Sequence, residues 1–141
     1  KNRCFFNDQA FLVAHADNLT RFDIDAFIAA HRARPKGTEI TMMTFETDDP
    51  QSCGIVELND EDVVVQFHEK VEFPPGNKAN AAVYILEPSV LDYLTLFNKS
   101  FIDLSTEVLP SFLGKIYTYH NQDYHRDIGT LESLELANKE F

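Results

Sequence analysis

Two aspartates stand where a carboxylate could do chemistry. Asp17 follows the apolar run Phe11 to Ala16 (FLVAHA), which has strand length and reads as a buried strand. It therefore lies at a strand's carboxyl end, where open α/β sheets bind their ligands. Asp127 comes after the alternating run Lys115 to His120 and just before Gly129-Thr130, a helix start. Brought together in a partly dry crevice, two carboxylates repel each other unless a divalent cation lies between them. Mg²⁺, a hard ion that prefers oxygen, is the natural choice. Taken singly, each residue reads as a turn or capping aspartate.

Other residues invite metal chemistry and have plainer explanations. Of His15, His31, His68, His120 and His125, the most suggestive trio is His120, His125 and Asp127. Zinc sites want HExxH or paired-cysteine spacing, and neither occurs. Asp23-Ile24-Asp25 and Asp60-Glu61-Asp62 match a DxD pattern, but the first begins a helix and the second sits in a turn, so capping and solvation account for both. Twelve phenylalanines without a tryptophan read as core filling rather than a stacking platform.

The elements that must position these groups alternate between strands and helices, as in α/β proteins. Asp23 is suited to an N-cap, and Phe27, Ile28 and Ala30 fall on one face of a helix ending before Pro35-Lys36-Gly37. With the run before it, this helix makes half of a βαβ unit. Glu39 to Phe45 reads as the next strand. Cys53 to Leu58 and Val63 to Glu69 are β-rich runs joined by Asn59-Asp60-Glu61-Asp62, which is hairpin chemistry. Val71 to Lys78 (VEFPPGNK) reads as an irregular loop. Ala79 to Leu86 is a strand whose small first residues let something approach the backbone closely. Pro88 to Phe97 and Asp103 to Leu113 have helical spacing, with Asp103 or Ser105 as an N-cap. Thr130 caps a last helix whose apolar face is Leu131, Leu134 and Ala137.

The chain of 141 residues corresponds to one domain, and 44% hydrophobic with 25% charged residues is a globular balance. Twelve Lys plus Arg against twenty-three Asp plus Glu leave a net charge of −11, which argues against a nucleic-acid partner. No apolar run has the length of a membrane span, and the first residues, KNRCFFND, carry no signal-peptide core. The expectation is a soluble, cytoplasmic protein with no membrane partner. Cys4 and Cys53 are expected as reduced thiols, although their positions leave a Cys4–Cys53 disulfide open.

Five strings in order, AHADN (Ala14 to Asn18), CGIVEL (Cys53 to Leu58), FHEK (Phe67 to Lys70), NKANAAVYIL (Asn77 to Leu86) and RDIGTLESL (Arg126 to Leu134), resemble the sugar-1-phosphate nucleotidyltransferases. That family runs roughly GDN, YGVVE, EKP, NAGIY and DIGTPESL with similar spacing, and the order here is most similar to its mannose-1-phosphate guanylyltransferase-like branch. The resemblance implies an α/β fold with a Rossmann-like mixed sheet flanked by helices, the nucleotide-diphospho-sugar transferase fold. It also implies nucleotidyl transfer from a nucleoside triphosphate to a sugar-1-phosphate, with Mg²⁺ as cofactor. Asp17 and Asp127 would hold the metal and, with Lys70, form the catalytic set. Gly54 would line the sugar pocket, Glu69 would contact sugar hydroxyls and Lys70 the sugar phosphate. Asn80 and Ala81 would lie beside the sugar ring.

The chain departs from the pattern in several places. No glycine-rich loop for the triphosphate precedes the first strand, so residues 1–141 resemble a single partial catalytic domain, truncated at its N-terminus and expected to be inactive alone. Ala16 stands for the glycine of GDN, Val71 for the proline of EKP and Ala82 for the glycine of NAGIY. The alternative in another class is a non-catalytic sugar-phosphate or nucleotide-binding regulatory module of the same fold. A central strand lacking its family neighbour would expose an edge, so a homo-oligomer is expected.

Overall fold

The computed structural model describes the backbone of residues 3–141 and the side chains from residue 5 onward. The strands are β1 (Phe11–Ala14), β2 (Asn18–Thr20), β3 (Ile40–Glu46), β4 (Gly54–Leu58), β5 (Val64–Glu69), β6 (Lys78–Leu86), β7 (Ile116–His120) and β8 (His125–Asp127). The α-helices are α1 (Ile24–Ala33), α2 (Pro88–Leu94) and α3 (Leu131–Glu140). The main sheet runs β5-β4-β6-β3-β7, with β1 paired to β6 as well, while β2 and β8 make a separate two-stranded ladder. β6 is antiparallel to β1, β3 and β4, whereas β3 and β7 are parallel. The expected β1-α1-β3 crossover therefore exists, with β6 inserted between its two parallel strands.

Alternation along β3 and β6 divides the core between the two faces of the sheet. Met42, Tyr84 and Leu86 pack with Val90, Leu109 and Phe112 on one face. Met43, Ala81, Val83 and Ile85 pack with Phe27 of α1 on the other. Burial of Phe27 alone is worth about 1.5–3 kcal/mol. The Asp23 side chain caps α1, accepting from the backbone N–H groups of Asp25 at 2.9 Å and Ala26 at 3.0 Å. Thr130 caps α3 by accepting from Ser133 N–H at 3.1 Å. The β4–β5 hairpin closes on Asn59, whose Oδ1 accepts from the N–H groups of Glu61 and Val63, each at 3.0 Å. These local features follow the sequence reading.

Four expectations need correction. β1 is a half-exposed strand rather than a buried one, because among the described residues β6 alone flanks it; Leu12 is 49% exposed. Asp103 is an N-cap, but the segment behind it is a π-helical turn (Leu104–Val108) followed by a 3₁₀ turn (Leu109–Phe112) rather than an α-helix. Pro110 lacks an N–H and its ring would clash with the preceding helical turn. The helix from Pro88 ends at Leu94, short of Phe97. Leu131 is 80% exposed and Ala137 is the buried residue of α3, since only the middle of that helix turns inward. Cys53 is a free thiol, and the Cys4 side chain lies outside the described residues. Among the described residues no helix is long and apolar enough to cross a membrane.

Candidate active site

β6 uses one edge twice. Val83 to Leu86 pair with β1, and Ala79 stands opposite Ile55 of β4. Asn80, Ala81 and Ala82 span the notch between these partners. Here the register with β3 also shifts: Met42 is opposite Tyr84, yet Thr44 is opposite Asn80. This bulge puts Ala82 at a φ of 52°. Asn80 Oδ1 accepts from Ala82 N–H at 3.0 Å, and Asn80 Nδ2 donates to the Tyr84 hydroxyl at 2.7 Å. The chain leaving β1 is laced across the notch, His15 N–H donating to the Ala82 carbonyl at 3.1 Å and Asn18 Nδ2 to the Ala81 carbonyl at 2.9 Å. Asp17 is carried between these two anchors.

The β2–β8 ladder brings Asp127 to the same place. Asn18 stands opposite Asp127, and Ile128 N–H donates to the Asp17 carbonyl at 2.7 Å. Asp127 Oδ1 accepts from Gly129 N–H at 2.8 Å, and the Ser133 hydroxyl donates to the Asp127 carbonyl. A methyl group added at Gly129 would lie 3.0 Å from Asp127 Oδ1 and 3.7 Å from Asp17 Oδ2. Both carboxylates therefore converge on the space that this glycine leaves empty. Two hard oxygen donors facing one gap suit Mg²⁺, which takes one or two carboxylates and fills its other positions with water and phosphate. Among the described residues no set of three His, Cys, Asp or Glu side chains forms a fuller metal cage. The trio of His120, His125 and Asp127 is accordingly not one: His120 Nδ1 is 3.4 Å from the Thr44 hydroxyl, and the His125 ring packs 4.2 Å from Phe45.

Gly54 pairs with Glu69 in the β4–β5 ladder. A Cβ on Gly54 would come within 2.7 Å of both Glu69 Oε2 and the Phe67 ring, so a larger residue would displace the carboxylate. Burial pushes the Glu69 carboxyl above its usual range; Lys70 opposes this and Asp103 adds to it. Lys70 is exposed, sits at a φ of 49° and donates its N–H to the Cys53 carbonyl at 3.2 Å.

A cavity of about 120 Å³ has Gly54, Glu69, Asn80 and Asp127 in its walls. Four of the expected site residues thus share one cleft, with Asp17 beside Asp127. Lys70 stands at the end of β5, adjacent to Glu69 but outside the walls. Ala81 is placed apart, its methyl in the core cluster beneath α1, and only its carbonyl faces Asn18. The cavity walls also include His15, Ser105 and His125. His15 lies inside the AHADN string, two residues before Asp17, and could have been found there. Ser105 carries no comparable signal. His125 Nδ1 is buried with no hydrogen-bond partner among the described residues, and burial pulls its pKa down to about 4 against the opposing charge of Asp127.

The nucleotidyl transferase family model matches residues 1–141. A glucose-1-phosphate adenylyltransferase from Bacillus cytotoxicus is 30% identical over 94% of this chain and 37% of its own length. A mannose-1-phosphate guanylyltransferase from Mycobacterium tuberculosis is 34% identical over 91% of this chain and 35% of its own length. The chain thus spans little more than a third of these relatives. A crystal structure from Bacillus anthracis, of a chain assigned as a glucose-1-phosphate thymidylyltransferase and bound to a sucrose, superposes with a TM-score of 0.85. It covers 98% of this chain and 56% of that one at 19% identity, which speaks for the fold. The mixed sheet, the ordered strings and the match along the full length agree: this chain belongs to the nucleotidyl transferase family.

Proposed function

We propose that the protein carrying this chain joins a nucleoside triphosphate to a sugar-1-phosphate, giving a nucleotide-sugar and pyrophosphate. The observation that carries the reading is the convergence of Asp17 and Asp127 on the gap at Gly129. In this reaction a phosphate oxygen of the sugar-1-phosphate attacks the α-phosphorus, a P–O bond forms, and the α–β bridging bond breaks as pyrophosphate leaves. Such a displacement depends on positioning and charge neutralisation rather than on a protein nucleophile. Charge neutralisation at the reacting phosphates is what Mg²⁺ supplies when bound by Asp17 and Asp127.

The other roles belong to the chain itself. Glu69, half-buried beside Gly54, offers acceptors to sugar hydroxyls. Lys70 offers a point charge to the sugar phosphate. Asn80 and the Ala81 peptide hold the wall beside the ring. Among sugars we favour the mannose-1-phosphate branch that the ordered strings resemble, supported by the 34% identity to the mycobacterial guanylyltransferase. The proposed setting is the cytoplasm, in keeping with the free thiol of Cys53. The test is pyrophosphate release by the protein carrying this chain, supplied with Mg²⁺, nucleoside triphosphates and sugar-1-phosphates. Release that requires the sugar and disappears in Asp127→Asn supports the reading. Undiminished release by that variant overturns it.

A further inference from the structure

Ala82 occupies a backbone conformation that favours glycine, with a φ of 52°, on the wall of the cavity that holds Glu69, Asn80 and Asp127. An L-residue rarely adopts this region because its Cβ crowds the following carbonyl. Both of its peptide groups are pinned: the N–H donates to Asn80 Oδ1 at 3.0 Å, and the carbonyl accepts from His15 N–H at 3.1 Å. The methyl therefore has a fixed direction and, unlike a long side chain, cannot swing aside. It packs against the core cluster that holds Tyr84, opposite to Ala81, whose methyl lies in the core beneath α1. Strain kept at a cleft wall, where glycine would be free of it, suggests a use for the methyl.

We infer that the Ala82 methyl is a steric selector in the sugar pocket, admitting a sugar-1-phosphate whose face toward β6 is flat and excluding an epimer that turns a hydroxyl toward it. The inference rests on the sugar-pocket reading above and adds the residue that sets its selectivity. Removing a methyl from a rigid wall changes discrimination by about tenfold or more.

The test compares the affinities of glucose-1-phosphate and mannose-1-phosphate, which differ in one hydroxyl's orientation, by calorimetry on wild type, Ala82→Gly and Ala137→Gly. Ala82→Gly should shift the affinity ratio by about tenfold, mainly by tightening the disfavoured epimer. Its melting temperature should not fall, because glycine relieves the strained φ. Ala137→Gly, which removes a buried methyl from α3 outside the cavity walls, should melt earlier and keep the wild-type ratio. A wild-type ratio retained in Ala82→Gly, with binding intact, overturns the selector and leaves the sugar pocket standing. Binding of neither sugar phosphate to wild type overturns both.

Discussion

Ile128 donates its backbone N–H to the carbonyl of Asp17 at 2.7 Å, tying together the two segments that carry the candidate metal ligands. The bond sits one residue past Asp127, just beyond the pair of Asn18 with Asp127 in the β2–β8 ladder. Main-chain hydrogen bonds thus fix the spacing of the two segments, and Asp127 Oδ1 is held further by the Gly129 N–H at 2.8 Å.

Asp127→Asn should lower turnover by on the order of 100-fold or more in the protein carrying this chain, because it removes charge stabilisation at the reacting phosphates. The fold should survive, since an asparagine Oδ1 can still accept the Gly129 N–H that Asp127 now holds at 2.8 Å. Steady-state kinetics and a melting curve check both halves. A large drop in melting temperature would make the loss structural instead.

Lys70→Ala should weaken sugar-1-phosphate binding by about tenfold or more and leave nucleoside triphosphate binding nearly unchanged, as expected for one lost charged contact. Calorimetry with the two ligands separates the cases. Equal losses for both would remove the assigned role, and no loss for either would make Lys70 a solvated strand-end charge.

His31 gives a pH dependence with a definite sign. Its Nδ1 is 2.7 Å from the Thr41 hydroxyl and its Nε2 is 3.1 Å from Glu87. Burial, and then the charge of Arg34, hold its pKa below 6.5 against the pull of Glu87. As pH falls below 6.5 the unfolded chain takes up a proton that the folded chain resists. The stability this group contributes is therefore full above that value and is lost as pH falls toward the folded one. The urea midpoint should drop between about pH 7 and about pH 5, and His31→Gln should make that drop shallower. An equal drop in the variant would assign the effect to other groups.

The free edge of β1 leads to a prediction about assembly. Among the described residues β1 pairs with β6 alone, Leu12 and Ile24 are 49% and 44% exposed, and a cleft of about 260 Å³ runs between β1 and α1. The 141-residue chain should self-associate along this edge, and Leu12→Lys should suppress the association by placing a charge there. Light scattering that finds a clean monomer at high concentration would refute this.

Much of the fold is legible in the sequence because caps and turns are local. Asp23, Thr130 and Asn59 each have side-chain acceptors two to four residues before the N–H groups they satisfy. The segment after Asp103 is not legible in the same way, since its apolar spacing suits α, π and 3₁₀ turns alike and only Pro110 hints at the break. The site is less legible still. β2 and β8 have three residues each, too few for alternation to register, so Asp17 and Asp127 are linked in sequence only by family resemblance. The positive φ values of Lys70 and Ala82 carry no residue-type signal, because neither is glycine. Ser105 reaches the cavity wall through tertiary packing alone.

The most direct test of the central claim is Mn²⁺, standing in for Mg²⁺, titrated into the isotope-labelled chain and followed by NMR. Paramagnetic broadening should begin at the amides of Asp17, Asn18, Ile128 and Gly129, which surround the gap shared by the two carboxylates, and should be lost from all of them in Asp17→Asn. Broadening that begins instead in the acidic segments around Asp48 and Asp60, and persists unchanged in that variant, would contradict a metal site built from Asp17 and Asp127.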